Sequence, residues 1–343
     1  MNNIITLSGD PGSGKSTVRE ALRKTFEENG KNVKIYCVGD IFRDLAEEKG
    51  MTVTEFNQML EKENTDVDKV LDEKVTKFGE KIIQENDPNT IYIIDSRMAW
   101  KNIPTAYKVK LTVEPRIAGE RIFNDKSRGK EDQYHSIDEA IEATKARKKS
   151  EIDRYHSLYG VDISQDKNFN ININTSFATP EGIAKIILEN MNEPDKNKGI
   201  LWASPKLFLP SQTMRNTAHT FNDVKHSIQE NGYYSDSVIR ARKMQDMYVI
   251  IDGHHRNFAA VSCDPNCLLP YEVEKKECTT QETQEFFSSN IGKEYFKSAL
   301  YDFEEAFGRD KNDMLRYTYD EAYPGIYSFL DNYHPQANNE RER

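Results

Sequence analysis

Residues 9–17 read Gly9-Asp10-Pro11-Gly12-Ser13-Gly14-Lys15-Ser16-Thr17, and the first eight satisfy the spacing G-x-x-x-x-G-K-[ST] in full. Glycines at these positions let consecutive backbone N–H groups turn inward around phosphate oxygens. Lys15 then reaches the β- and γ-phosphates, and the Ser16 hydroxyl is placed to ligate Mg²⁺. That is the chemistry of MgATP binding and phosphoryl transfer. A second dense set, Asp252-Gly253-His254-His255-Arg256, follows the apolar run "MYVI" far downstream. A glycine turn, a helix opening near His254 and a guanidinium suit an anion, because free helix N-terminal N–H groups point at it. The competing reading is that the two histidines cap a helix and Asp252 orients them.

These groups need a frame. Ile4–Leu7 is an apolar strand, and the segment after the loop carries Val18, Leu22 and Phe26 at helical spacing. "NVKIYCVGD" reads as a second strand ending at Gly39–Asp40, with a helix from "IFRDLAEEKG". "TIYIIDSR" reads as a buried strand closing on Asp95, and "AYKVKLTV" and "NFNININTS" as further strands, with helical patterns between. Alternating strands and helices predict an α/β fold with a parallel sheet covered on both faces. In such sheets ligands collect beyond the carboxyl ends of the strands. Gly9, Gly39, Asp40, Asp95 and Arg97 fall at those ends and are expected to share one cleft.

The 343 residues suggest two domains. Hydrophobic residues are 37% and charged ones 30%, and no apolar run approaches the ~20 residues of a membrane span. "MNNIITLSGD" has no basic n-region and no cleavage site, so a cytoplasmic location is expected. The net charge of −10 argues against a general nucleic-acid binder, since affinity for phosphate backbones comes from Lys and Arg. Four cysteines are too few for a disulfide framework. Cys263 and Cys267 form a CxxxC pair, but the spacing is loose for zinc and Pro265 intervenes.

"ITLSGDPGSGKST", "GDIFRDLAEEKGMTVTEF", "DVDKVLDEKV", "IIDSRMAW", "ERI" and "RKKSEIDRYHSLYGVDI", in this order, resemble the cytidylate-kinase-like P-loop kinases, especially the short archaeal type, over residues 1–192. The resemblance implies ATP and Mg²⁺ as cofactors and a small-molecule nucleotide as acceptor. It implies that Arg43 and Arg97 bind the acceptor, beside Asp40 and Asp95. It gives Arg147, Glu151 and Arg154, at i, i+4 and i+7 of one helix, to the substrate phosphate and the lid, and makes Arg121 a lid arginine. Chemistry asks for the same types: phosphoryl transfer is catalysed by positioning and charge neutralisation. Two departures bear on the acceptor. "DSR" stands where the family usually has a glycine-arginine pair, and Val38 where bacterial members have serine. Another nucleotide, or a non-nucleotide hydroxyl, stays open.

"NEPDKNKG", with Pro194 and Gly199, reads as a linker over residues 193–199. Beyond it a short strand at Lys206–Leu209, a helix near Asn222–Glu230, a strand at Val238–Arg242, a hairpin partner "MYVIIDG", a helix "HHRNFAAVS" and a strand "LPYEVE" make a small α+β unit, residues 200–280. This order resembles the ParB/sulfiredoxin superfamily, and "DGHHR" is most similar to its free-serine-kinase branch. The resemblance implies a second nucleotide or phospho-ligand at Gly253–Arg256, with Arg215 a further contact. Sulfiredoxin chemistry needs a cysteine where His254 stands. The serine-kinase base is a glutamate where this chain has Ser211, Gln212 and Thr213, and glutamine cannot accept the proton. Aromatic-rich helices over 281–334 read as core or interface, and 335–343 as a disordered tail. The expectation is an ATP/Mg²⁺-dependent phosphotransferase with a second phosphate-ligand site. The alternatives are a nucleotide-sensing regulator, a free-serine kinase, or a kinase acting on modified nucleic acid.

Overall fold

The computed structural model describes residues 3–51, 55, 56, 59, 67–125, 134–196, 198–214, 218–231, 233, 237–274, 278, 279, 281–283, 286, 293–308 and 317–332. The chain divides into two compact units, Met1–Leu201 and Trp202–Arg343. Among the described residues no helix is long and apolar enough to cross a membrane.

The first unit runs β1 (Ile4–Gly9), α1 (Lys15–Glu28), β2 (Asn32–Cys37), α2 (Val38–Glu48), α3 (Val67–Glu85), β3 (Thr90–Asp95), α4 (Ala99–Asn102), β4 (Tyr107–Thr112), α5 (Pro115–Asn124), α6 (Ile137–Tyr159), β5 (Ile171–Asn174) and α7 (Pro180–Asn190). Its strands lie in the order β2-β3-β1-β4-β5, and every pairing is parallel. β3 is buried at all six positions, as a strand covered on both faces must be. Leu7 pairs with Asp95, so the ends of β1 and β3 come out side by side. α1 buries Val18, Leu22 and Phe26, a stripe at i, i+4 and i+8. α6 starts where the Ser136 hydroxyl accepts from the Glu139 N–H, and it stops at Gly160 in the left-handed region.

One sequence expectation is corrected here. β2 ends at Cys37, and Val38, Gly39 and Asp40 already form the first turn of α2. Asp40 therefore sits at a helix N-terminus, where the dipole favours a carboxylate, and not on a strand end.

The second unit runs β6 (Leu201–Ala203), β7 (Phe208–Leu209), α8 (Ala218–Asn231), β8 (Ile239–Met244), β9 (Met247–Asp252), α9 (His254–Cys263), β10 (Leu269–Val273), α10 (Lys293–Ala306), α11 (Tyr319–Ala322) and α12 (Ile326–Asn332). Its strands are ordered β6-β10-β8-β9-β7, with β8 and β9 an antiparallel hairpin turning at Gln245, whose φ is 56°. The strand expected over Lys206–Leu209 is shorter. Pro205–Leu207 is a 3₁₀ turn, held by the Ser204 hydroxyl on the Lys206 N–H, and extended pairing begins at Phe208. Three tyrosines of the C-terminal segment cap the successive carbonyls of Lys206 (Tyr317, 2.7 Å), Leu207 (Tyr323, 2.5 Å) and Phe208 (Tyr319, 2.9 Å). The aromatic-rich C-terminal segment is thus part of this unit's core.

Candidate active site

The phosphate loop leaves β1 at Gly9 and enters α1 at Lys15. Gly12 and Gly14 have φ of 77° and 72°, the left-handed region where a side chain is strained. A Cβ on Gly12 would also lie 2.9 Å from the Ala118 backbone in α5, so only glycine lets the loop rest there. The Ser13 hydroxyl points inside the loop, buried and without a hydrogen-bond partner. Ser16 and Thr17 are exposed at the start of α1.

Lys15 pairs its ammonium with the Asp95 carboxylate, which is buried at the end of β3. Arg19 approaches the other Asp95 oxygen at 3.0 Å. Sequence reasoning passed over Arg19. Its place four residues after Lys15, hence on the same face of α1, was the available signal.

α6 crosses the loop with a row of charges. Glu151, 8% exposed, takes an ion pair from Arg97 and a longer one, 3.4 Å, from Arg147. Lys148 reaches Asp10 of the phosphate loop at 2.7 Å. Arg97, Lys148, Glu151, Gly9 and Asp10 line one cavity of about 90 Å³. Arg154 pairs with Asp68 of α3 at 3.2 Å, where the Tyr155 hydroxyl also donates at 3.2 Å. The buried stripe of α6 is Ala140, Thr144, Glu151 and Tyr155. Lys148 belongs to that row by spacing, while Arg147 and Arg154 flank it half-exposed. Arg43 lies in α2, with its side chain outside the described residues.

The Arg121 guanidinium donates to the Gly12 carbonyl at 3.3 Å, the Thr175 hydroxyl at 3.2 Å, and the carbonyls of Thr175 at 2.7 Å and Ser176 at 3.0 Å. It braces the phosphate loop against the segment after β5, and burial lowers its pKa. Sequence spacing could not show this, since carbonyls carry no residue signature.

In the second unit Gly253 holds φ 99° and starts α9. A Cβ there would meet Ile239 at 2.9 Å. The His254 ring is turned into the core, 5% exposed, and its Nε2 accepts from the Ser211 N–H at 3.1 Å. With Nε2 accepting there, His254 ties α9 to the Ser211 loop, and its proton sits on Nδ1. Burial, then the charge of His255, pushes its pKa down to about 4. Arg256 pairs with Asp252 at 3.1 Å on the surface. Asn257, one turn into α9, is fully buried with neither amide atom hydrogen-bonded. Arg215 lies outside the described residues, as do residues 335–343.

Comparison with known proteins agrees on the first unit. Residues 5–146 match the AAA domain family AAA_18. Cytidylate kinase of Methanocella arvoryzae is 30% identical over 193 residues, 56% of this chain and 99% of that protein. Cytidylate kinase of Natronomonas pharaonis is 32% identical over 200 residues, 57% of this chain and 94% of that protein. The S-adenosylmethionine-dependent nucleotide dehydratase of Lacinutrix mariniflava is 29% identical over 235 residues, 68% of this chain and 45% of that protein. That span exceeds the first unit, so this match runs into the second. A complete glycine-lysine-serine loop on a parallel sheet, with relatives matched from end to end, places the chain in the cytidylate kinase family of P-loop kinases, as a phosphotransferase of the nucleoside monophosphate kinase type.

Proposed function

We propose that the first unit transfers the γ-phosphoryl group of ATP to a nucleoside monophosphate. The observation that carries this is Glu151, a carboxylate held between Arg97 and Arg147 in a cavity also lined by Gly9 and Asp10 of the phosphate loop. Guanidinium groups bind multi-oxygen anions through two parallel N–H donors, and a phosphate monoester is such an anion. Arg154, Asp40 and Arg43 are assigned to the same acceptor on the strength of their family positions. The similarity to cytidylate kinases and to a nucleotide dehydratase supports a nucleotide as the acceptor.

The residues fit ATP and Mg²⁺. The Ser13 hydroxyl lacks a partner inside the loop, and the glycines leave a cradle that side chains would fill. Ser16 and Asp95 offer hard oxygen donors of the kind Mg²⁺ takes. When bound, the ion supplies neutralisation of charge on the β- and γ-oxygens. Lys15 adds a point charge from the loop, and Arg19 keeps Asp95 in place.

ADP release measured with CMP, UMP, dCMP, AMP, GMP and free serine tests the reading. At least one monophosphate should support turnover above the rate without acceptor, and serine should not. A panel in which no monophosphate raises the rate would overturn it.

For the second unit we infer a site for a nucleoside di- or triphosphate at Gly253, His255 and Arg256. Asn257 favours this over a bare helix cap, because a buried amide with no partner is costly unless something satisfies it. Titration calorimetry of the full chain in the Lys15→Ala background, with CTP, ATP and ADP, should give a binding isotherm that Arg256→Ala weakens by about one to two decades, the worth of a charge-assisted contact. An isotherm unchanged by Arg256→Ala removes the site.

A further inference from the structure

Lys110 sits where a lysine costs most. It belongs to β4, an interior strand, between Ser8 of β1 and Asn172 of β5 in register, and it is 8% exposed. Such positions in parallel sheets are ordinarily apolar, and lysine enters them only when paired. Its neighbours on the same face are polar and buried too, and Asn172 Oδ1 has no hydrogen-bond partner. The ammonium donates to the Ser164 carbonyl, lies 2.8 Å from Asp166 Oδ1, and stands 5.7 Å from the centre of the Phe169 ring. The Asp166 side chain is 41% exposed, so water screens the pair on one side while the ammonium stays inside.

The same cavity that holds Arg97 and Lys148 is lined by Lys110. Three cations there face two carboxylates, Asp10 and Glu151. At about 90 Å³ the cavity is smaller than the ~150 Å³ that holds a benzene ring, and it has room for a small anion such as one phosphate group. Gly9 and Asp10 of the phosphate loop line it as well.

We propose that Lys110, together with Arg97 and Lys148, seats a phosphate group of the acceptor directly behind the phosphate loop, and that Lys110 selects an acceptor already carrying phosphate over a neutral hydroxyl compound. The proposal rests on the nucleotide-acceptor reading above and goes further by naming a residue and the group it reads. Asp10 and Glu151 hold Lys148 and Arg97 extended across the cavity, and an incoming dianion competes for both cations. Lys110 meets that dianion from the sheet side, where desolvation strengthens the attraction. The bland alternative is that Lys110 and Asp166 merely staple the 164–166 turn onto β4.

The full chain is saturated with Mg²⁺ and a non-hydrolysable ATP analogue, which fills the phosphate loop. Inorganic phosphate is then titrated into the parent protein, Lys110→Met, Lys110→Arg, Lys148→Met and Lys24→Met, with thermal melting of each. Lys24, exposed on the outside of α1, is the control. Lys110→Met and Lys148→Met should weaken phosphate by about tenfold or more. Lys110→Arg should keep most of the affinity, and Lys24→Met all of it. Phosphate affinity within about twofold of the parent in Lys110→Met, whether or not melting falls, overturns the proposal and leaves the staple. No phosphate binding by the parent overturns it as well. Phosphate binding that depends on Lys110, in a protein that phosphorylates no monophosphate, keeps the anion seat and removes the nucleotide reading instead.

Discussion

Asp95 is shared by Lys15 and Arg19, and that sharing makes Lys15 a safe residue to remove. With Arg19 still 3.0 Å away, the buried carboxylate keeps a counter-charge in Lys15→Ala. The variant should melt close to the parent while ADP release falls by about two to three orders of magnitude, the range for losing one preorganised charge-stabilising donor. Arg121 predicts the opposite pattern. Its four acceptors are a hydroxyl and three carbonyls, so Arg121→Ala leaves partly buried carbonyls unpaired, at a cost of about 1–3 kcal/mol. Melting should fall and the KM for ATP should rise, as the phosphate loop loosens. A large loss of kcat with unchanged melting would mean instead that Arg121 touches the transferring group.

At the scale of elements, two junctions are fixed by single residues. The phosphate loop rests on α5 through Gly12, and Gly12→Ala adds both a left-handed side chain and a 2.9 Å contact with backbone. The strain alone is roughly 1–2 kcal/mol, so binding of MgATP by calorimetry should be lost before the fold is. The other junction is α9, held to the Ser211 loop by neutral His254. Its folded pKa, about 4, lies below the ordinary histidine value of 6.5, so the unfolded chain binds the proton more readily. This contribution is fully present above pH 6.5 and is lost as pH falls from 6.5 toward 4, by up to about 3 kcal/mol. Denaturant midpoints followed at the tryptophans should decline over that window, and His254→Gln should flatten the decline. A parent protein equally stable at pH 7 and pH 4.5 would show that burial does not hold the His254 pKa below its ordinary value.

For the molecule as a whole, the residues proposed for the kinase site lie within the first unit. The loop, Asp95, Arg97 and the charged row of α6 all lie before Leu201, and the Methanocella relative is matched over 99% of its length by 193 residues of this chain. A chain of residues 1–201 should therefore fold and keep ADP release within about threefold of the full protein, which circular dichroism and a coupled assay would check. Loss of turnover in a folded fragment would assign the second unit a part in the kinase reaction.

The sequence by itself determined the phosphate loop, the alternation of strand and helix, and the glycine turn before α9. Each is a local requirement: positive φ at Gly12, Gly14 and Gly253, β-branched runs in β1 and β3, and a periodic apolar face in α1. It missed the first turn of α2 by three residues, because Val38, Gly39 and Asp40 suit a strand end and a helix start equally. What each charge faces was decided only by tertiary structure. Arg121 binds carbonyls, His254 turns inward, Lys148 reaches Asp10 and Lys110 enters the cavity, all through partners more than forty residues away. A long side chain is compatible with many partners. Parallel pairing of β1 with β3 and β4, and the crossing of α6 over the loop, select among them.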